Sequence, residues 1–506
     1  MQQRRRVRRP RPSGRVAVVL SVVAAAVGSL AAPSVAAPRL SAPPTPAQCL
    51  TATGGRCLTP AMLATAYDLN GLHARGITGA GVTIGIVDSF GSPTLAHDLA
   101  VYDAQYHLPP VDLHVISPVG QPPPFDASDQ DMVGWAAETT LDVEVAHSVA
   151  PGAAILVIET PTSETEGLQG FPEILRAEND VLTSHRVDVL SQSFAATEQT
   201  FTGAAQIRAL SAEVYPRART LGITVLSSSG DNGPTDVHLD QHTLYDTRVV
   251  DWPATDPLVT SVGGTRLDLG ADGSREAPDA AWGGAQGAGG GGLSSVFPRP
   301  PYQDSVASVV GDHRGIPDIS MDASSASGVI TYGSYDGGGW SVGGGTSQAA
   351  PILAGIVALA DQLAHARVGF LNDALYGTLV RSPTGGIVDI THGSNDLTTG
   401  TTVPGYAAVP GYDLATGLGT VDGGKFVPAL VAATAGQQTP LASARGGTTP
   451  TDASLAPATR PAAPVHTEAA GAHGGGQGAG WVVIGAVALL AVAIGVGLAL
   501  RRRWTR

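Results

Sequence analysis

The sequence predicts an α/β fold, a doubly wound and mostly parallel sheet flanked by helices, with one transmembrane helix at the C-terminal end. Three observations predict it. Near-continuous apolar runs of strand length begin with VTIGIV at 82–87, between Gly81 and Asp88, and return at 154–158, 187–190, 223–226 and 259–262. Such runs suit strands buried on both faces, as parallel strands are. Segments of helical spacing, 132–147 and 205–221, lie between several of them, and that alternation argues an open sheet covered on both sides. Residues 481–500 carry no charge. At about 1.5 Å per residue they span roughly 30 Å, the thickness of a bilayer core.

Composition removes several classes. Gly (65) and Pro (37) make up about a fifth of the 506 residues without any three-residue glycine period, which excludes collagen. Only 14% of residues are charged and 43% are hydrophobic, enough for a sizeable core and against wholesale disorder. The net charge is −14, but seven arginines lie in 1–37 and four in 481–506, with no acid in either segment. Residues 38–480 therefore carry a net −25. A chain this acidic repels phosphate backbones, so no nucleic-acid partner is expected.

From the N-terminus, residues 1–37 read as a signal peptide: an arginine-rich start to Arg15, an apolar run at 16–32, and small residues for cleavage after Ala36 or Ala37. The arginines also fit a twin-arginine export route. A short segment, 38–56, follows. Cys49 and Cys57 lie just beyond the cleavage point, and in an exported chain they are expected to form a disulfide. Residues 57–432 form the folded domain. Residues 433–480 are dense in Ala, Thr, Pro and Gly and read as a flexible tether. The membrane helix 481–500 precedes the basic tail 501–506, whose arginines belong in the cytoplasm by the positive-inside rule. The expected location is the cell membrane, single-pass, with the domain outside.

Three segments carry candidate chemistry. In VGGGTSQAAP (342–351), Ser347 follows three glycines and a threonine and precedes a proline that opens an apolar helix over 352–363. This setting exposes a hydroxyl at a helix N-terminus, where backbone N–H groups and the helix dipole meet a developing oxyanion. In WAAETTLDVEVAHSVAPGA, Glu138 and Asp142 stand four apart on one helix face. Like charges at that spacing are unfavourable, and the apolar residues around them point to a buried helix rather than a solvated acidic face. In SSSGDNG (227–233), Asp231 follows a predicted strand, at the edge where open α/β sheets bind ligands. Taken singly, a glycine-rich turn or a turn aspartate has a plain structural explanation.

Together these segments resemble the sedolisin family, the serine-carboxyl peptidases, which share the subtilisin-like fold. The resemblance covers about 57–428 and includes LTPAMLATAYDLNGL, DWPATDPLVTSVGGT, GGGLSSVFPRPPYQ, RGIPDISMDA, VGFLNDALY and GYDLATGLGTVDG. It implies that Ser347 is the nucleophile, Glu138 its general base, Asp142 the carboxylate orienting Glu138, and Asp231 the acid of the oxyanion hole. Asp88 then stands where relatives can carry an acid behind the Glu138–Asp142 pair. The resemblance also implies one structural Ca²⁺, held by Asp389 and Ile390 in VDITHGSND and by Val409, Gly411 and Asp413 in VPGYD: two carboxylates and three backbone carbonyls, a hard-oxygen set. Val409 stands where glycine is usual. Substrates are expected to be peptides or proteins.

The roles have a physical logic. A carboxylate with a pKa near 4 still accepts a proton at pH 4, where an imidazole of pKa ~6.5 is already protonated. Asp231 must keep its proton to donate to an oxyanion, so acid activity is expected. Two alternatives stand beside this reading: a subtilisin-type triad of Asp88, a histidine and Ser347, and a catalytically silent binding module on the same fold. Two departures from the family are visible. SQSFAATEQ (191–199) has Phe194 and Ala195 where relatives place an aromatic and a glycine, which narrows the expected substrate strand. The usual large prodomain is also missing between the signal peptide and the first family-like segment.

Overall fold

Parallel strands whose side chains are buried on both faces form the centre of the molecule, and the elements around them follow in alternation. The computed structural model describes residues 40–184 and 186–442. In chain order the main elements are β1 (Thr83–Ser89), α1 (Leu95–Tyr106), β2 (Leu113–Ile116), α2 (Gln130–Val149), β3 (Ala154–Thr160), α3 (Phe171–Thr183) and β4 (Val189–Gln192). They continue with α4 (Ala204–Leu221), β5 (Thr224–Ser228), β6 (Thr260–Arg266), β7 (Ala280–Ala281), β8 (Ile319–Asp322), α5 (Thr346–Ala364) and α6 (Gly423–Ala433). The sheet order is β8-β6-β5-β4-β1-β3-β2, with all these neighbours parallel, and the short β7 pairs antiparallel with β6.

Strand periodicity divides the core. On β1, Ile84 and Ile86 join one buried cluster with α2 and α5, while Val87 faces a second with α3. On β3, Ile155 and Val157 face the first and Leu156 and Ile158 the second. Alternate residues of a strand point to opposite faces, so both must be apolar when helices cover both. The five expected strands are present. The strands β2 and β8 are short and interrupted by polar residues (LHVI, ISMD), which leaves no apolar run to read.

The sheet grows outward from β1, towards β3 and β2 on one side and β4, β5, β6 and β8 on the other.

Both ends of the described chain are tied down. Cys49 and Cys57 form the expected disulfide and are buried. Leu40 exchanges backbone hydrogen bonds with Trp340, and Leu58 bridges to Val329. At the other end the tether does not begin at residue 433. Gln437 donates to the carbonyls of Val368 and Phe370, Thr439 pairs with Arg367, and the Ala442 N–H donates to Asp188. Polar side chains that find buried backbone acceptors keep this segment on the domain, which composition cannot reveal.

The expected signal peptide, the rest of the tether, the membrane helix and the basic tail lie outside the described residues. Among the described residues one helix, Thr346–Ala364, is long and apolar enough to cross a membrane, and it is 78% buried in the core.

Candidate active site

Glu138 and Asp142 lie one turn apart on α2, which Asp129 caps by accepting from the N–H groups of Asp131 and Met132. From Thr139 onward every residue of this helix is buried. Glu138 is half-buried beside a cleft of about 190 Å³, lined also by Leu141, Tyr335 and Val342–Gly344. Asp142 is completely buried.

The helix bearing the nucleophile candidate starts earlier than its sequence suggests. Its first residue is Thr346, with Gly345 at the N-cap (φ +89°), so Ser347 sits in the first turn and Pro351 lies inside the helix. The glycines release the chain into a left-handed cap that reaches back to Asp231. Any Cβ on Gly345 would stand 2.5 Å from Asp231 Oδ2. Asp231 Oδ1 accepts from the Thr346 N–H (2.7 Å) and Thr346 Oγ1 (2.8 Å). The carboxyl is thereby fixed against the turn that carries Ser347.

The structure brings together Ser347, Glu138, Asp142, Asp231 and Asp88. Burial pushes Glu138 up to about 8, the nearby Ser347 hydroxyl opposes this, and Asp88 and Asp231 reinforce it by repulsion. Asp142 is raised by burial, then by Glu138 and Asp88, against one hydrogen bond from Ser193. Burial raises Asp88 to about 7, with the nearby Thr139 hydroxyl easing the shift. Asp231 is raised by burial and partly restrained by its bonds from Thr346. A Glu138 that titrates near 4 is therefore corrected: loss of water and surrounding carboxyls disfavour its anion.

Buried oxygens without partners show what the arrangement can do. Glu138 Oε1, Asp142 Oδ2 and both oxygens of Asp88 have none. A proton shared within the Glu138–Asp142 pair would satisfy two of these oxygens while leaving one negative charge to accept the Ser347 proton. Protonated Asp231 can donate from the oxygen that Thr346 leaves free.

The histidine alternative is not formed. His147, at the far end of α2, bonds to the Pro109 carbonyl (3.0 Å), and no histidine among the described residues bonds to Asp88 or Ser347. Phe194 is buried, its ring edge-on to Phe171.

Several site residues escaped the sequence reading. Ser193, the residue after β4, donates to Asp142 Oδ1 (3.0 Å). Beside the Asp231 turn lies a group of carboxyls. Asp236 accepts from Asn232 Nδ2 and the Val237 N–H, both at 2.7 Å. Asp251 is raised by burial, then by Asp236, Glu166 and Glu198, and its Oδ1 is buried without a partner. A Cβ on Gly230 would stand 2.4 Å from Asp251 Oδ2, so this group borders the residue preceding Asp231. The isolated aspartates and glutamates carry no pattern along the chain that would have joined them.

The calcium candidates also converge. Asp389 Oδ2 accepts from the Gly411 N–H (2.8 Å) and Asp413 Oδ2 from the Val409 N–H (2.9 Å). Asp413 Oδ1 holds the N–H groups of Ala415 and Thr416. Val409 lies outside the left-handed region, where a β-branched residue is at ease. Ile390 is buried in a small cluster with Ala281, Ala408 and Ala415. Among the described residues no group of three or more His, Cys, Asp or Glu side chains is arranged for a metal. The contacts of Asp389 and Asp413 are with backbone N–H groups of the 409–416 turn.

Comparison with known proteins follows the same lines. The sequence model of the subtilase family matches residues 130–396. Kumamolisin of Bacillus sp. (strain MN-32) is 34% identical over 387 residues, covering 74% of this chain and 63% of that protein. Sedolisin of Pseudomonas sp. (strain 101) is 26% identical over 382 residues, covering 74% and 62%. Tripeptidyl-peptidase 1 of Mus musculus is 29% identical over 302 residues, covering 56% and 50%. The solved structure of Pseudomonas sedolisin, a serine-carboxyl proteinase complexed with pseudo-iodotyrostatin, superposes with a TM-score of 0.62 at 27% identity, over 74% of this chain and 98% of that one. The chain spans less than two-thirds of the length of these curated relatives.

Proposed function

On the premise that the chain belongs to the subtilase family, with sedolisins among its relatives, we propose that it is a serine-carboxyl peptidase hydrolysing peptide bonds with Ser347, Glu138, Asp142 and Asp231. One observation carries this reading: Thr346 clasps Asp231 with its N–H and hydroxyl while the next residue, Ser347, meets Glu138. A binding module has no need of four carboxyls held at such cost around one hydroxyl.

In the proposed reaction, Ser347 Oγ attacks the peptide carbonyl carbon as its proton passes to Glu138. The carbonyl electron pair moves onto oxygen, where protonated Asp231 and the first-turn N–H groups of α5 stabilise it. Glu138 returns the proton to the leaving amine, and water repeats the sequence on the acyl-enzyme. Asp142 orients Glu138 and shares its charge. Activity on the acid side of neutrality follows, because Asp231 must keep its proton. Acid also neutralises Asp88 and Asp231, which relieves the repulsion on Glu138 and lets the Glu138–Asp142 pair carry its single charge.

Asp389 and Asp413, with the carbonyls of Ile390, Val409 and Gly411, would hold one Ca²⁺, which supplies charge neutralisation and a cross-link between two surface segments. Residues 1–37 would direct export, and 481–500 would anchor the domain outside the cell membrane.

Digestion of a peptide library by the soluble segment and by Ser347→Ala, across a pH series, tests the reading. The wild type should cut, and the variant should lose ~1,000-fold or more. A folded Ser347→Ala that retains wild-type turnover overturns the assignment.

A further inference from the structure

Ser193 has one hydroxyl hydrogen and two acceptors that matter. Asp142 Oδ1 lies 3.0 Å away and the backbone carbonyl of Ser347 lies 3.4 Å away. That carbonyl stands where it is because of Pro351. In an α-helix the carbonyl of residue 347 accepts from the N–H of residue 351, and proline has none. The Ser347 carbonyl is thus deprived of its helical partner, and Ser193 provides the nearby hydroxyl. Ser193 is 7% exposed and Asp142 is completely buried, so water is a poor substitute donor for either.

Resting on the serine-carboxyl reading above, we infer that Ser193 is a positioning residue that links the protonation of Asp142 to the backbone of the nucleophile's turn. When Asp142 Oδ1 is unprotonated, Ser193 donates to it and stabilises negative charge there. When Oδ1 carries a proton, Asp142 donates to Ser193 Oγ, and the Ser193 hydrogen turns to the Ser347 carbonyl. No proton leaves the group: only the direction of the hydrogen bonds reverses. Pro351 is the second part of the device, since a residue with an N–H at that position would occupy the carbonyl and leave Ser193 to Asp142 alone.

The groups facing Asp142 decide the sign of the pH effect. These are Glu138 on its own helix, Asp88 at the end of β1, and the Ser193 hydroxyl after β4. Glu138 and Asp88 disfavour charge on Asp142, whereas Ser193 favours it. Removing the hydroxyl makes the Glu138–Asp142 pair harder to ionise.

The test is steady-state kinetics across pH for Ser193→Ala, Ser193→Thr and Pro351→Ala, with melting temperatures measured alongside. Ser193→Ala is expected to lower kcat by ~10-fold or more with KM within ~3-fold, and to move the acid limb of the profile upward. Ser193→Thr, which keeps the hydroxyl, should bring the limb back. Pro351→Ala should move it downward. A Ser193→Ala enzyme with kcat within ~3-fold of wild type, or with reduced kcat and an unmoved acid limb, overturns the inference. If Ser193→Ala does not fold, an unmoved limb in Pro351→Ala does so. Ser347→Ala separates the two levels: its activity sinks the serine-carboxyl reading, while its inactivity beside an unaffected Ser193→Ala sinks this inference alone.

Discussion

Burial leaves both carboxyl oxygens of Asp88 without a hydrogen-bond partner, and the group holds its proton up to about pH 7. Glu138 holds its proton higher, to about 8, in part because of Asp88. A charge on Asp88 opposes the loss of the Glu138 proton. Asp88→Asn removes that charge at nearly constant volume, and the acid limb of kcat/KM, where Asp88 is already protonated, should stay in place. Stability supplies a second readout. Carboxyls raised in the folded state bind protons that the unfolded chain has released above about pH 4. Their contribution is complete below that range and is lost as pH rises through about 7 to 8. The melting temperature should fall across this window, less steeply in Asp88→Asn. A shifted acid limb, or a melting slope unchanged by Asp88→Asn, would overturn this account of Asp88. Glu138 and Asp142 can be paired from sequence because a four-residue spacing places them on one helix face whatever the fold. Ser193 cannot, since its contact requires the end of β4 to stop beside α2.

At the scale of single elements, backbone chemistry decides where helices start. The sequence places a proline at the head of an apolar helix, a sound rule because proline is at ease in a first turn. Here α5 begins five residues earlier, at Thr346, because Gly345 adopts the left-handed conformation and Asp231 receives the Thr346 N–H. That partner lies on another strand's loop, out of reach of any local reading. The segments 388–390 and 409–413 show the same dependence, for Asp389 and Asp413 each fasten the backbone of one turn. A Ca²⁺ bound there only in the folded state adds stability by mass action. Chelation, Asp389→Ala and Asp413→Ala should each lower the melting temperature by roughly 5 °C or more. Chelation should have no further effect on the variants. Equal melting with and without chelator, after metal removal is verified by elemental analysis, would exclude the site.

For the whole molecule, the proposed topology places the net −25 of residues 38–480 outside the cell and the final arginines inside. Added protease should nick intact cells' protein first within the Ala-, Thr-, Pro- and Gly-rich stretch that ends at Gly480, and leave a C-terminal tag protected. Digestion of the tag under conditions that spare the domain would reverse the topology. The described domain itself is laced at both ends: Leu40 on Trp340 and the disulfide near the start, Thr439 on Arg367 near the finish. The segment beyond 433 is low in large apolar residues, so its attachment is invisible to composition. It depends on Gln437 and Thr439 meeting carbonyls that the rest of the fold leaves exposed to them.

The sequence by itself determined the layered α/β architecture, the candidate residues of the site and the cysteine pair. These follow from local periodicity, from residue type and from short spacings, all of which survive without knowledge of distant contacts. Tertiary structure alone decided the ionisation of the site. Glu138, Asp142, Asp88 and Asp231 come from three separate segments, and only their joint removal from water raises all four carboxyls. It also decided the assignment of Ser193 and the place where α5 begins. Each of these depends on which loop ends meet at the carboxyl edge of the sheet, and a linear sequence contains no measure of that distance.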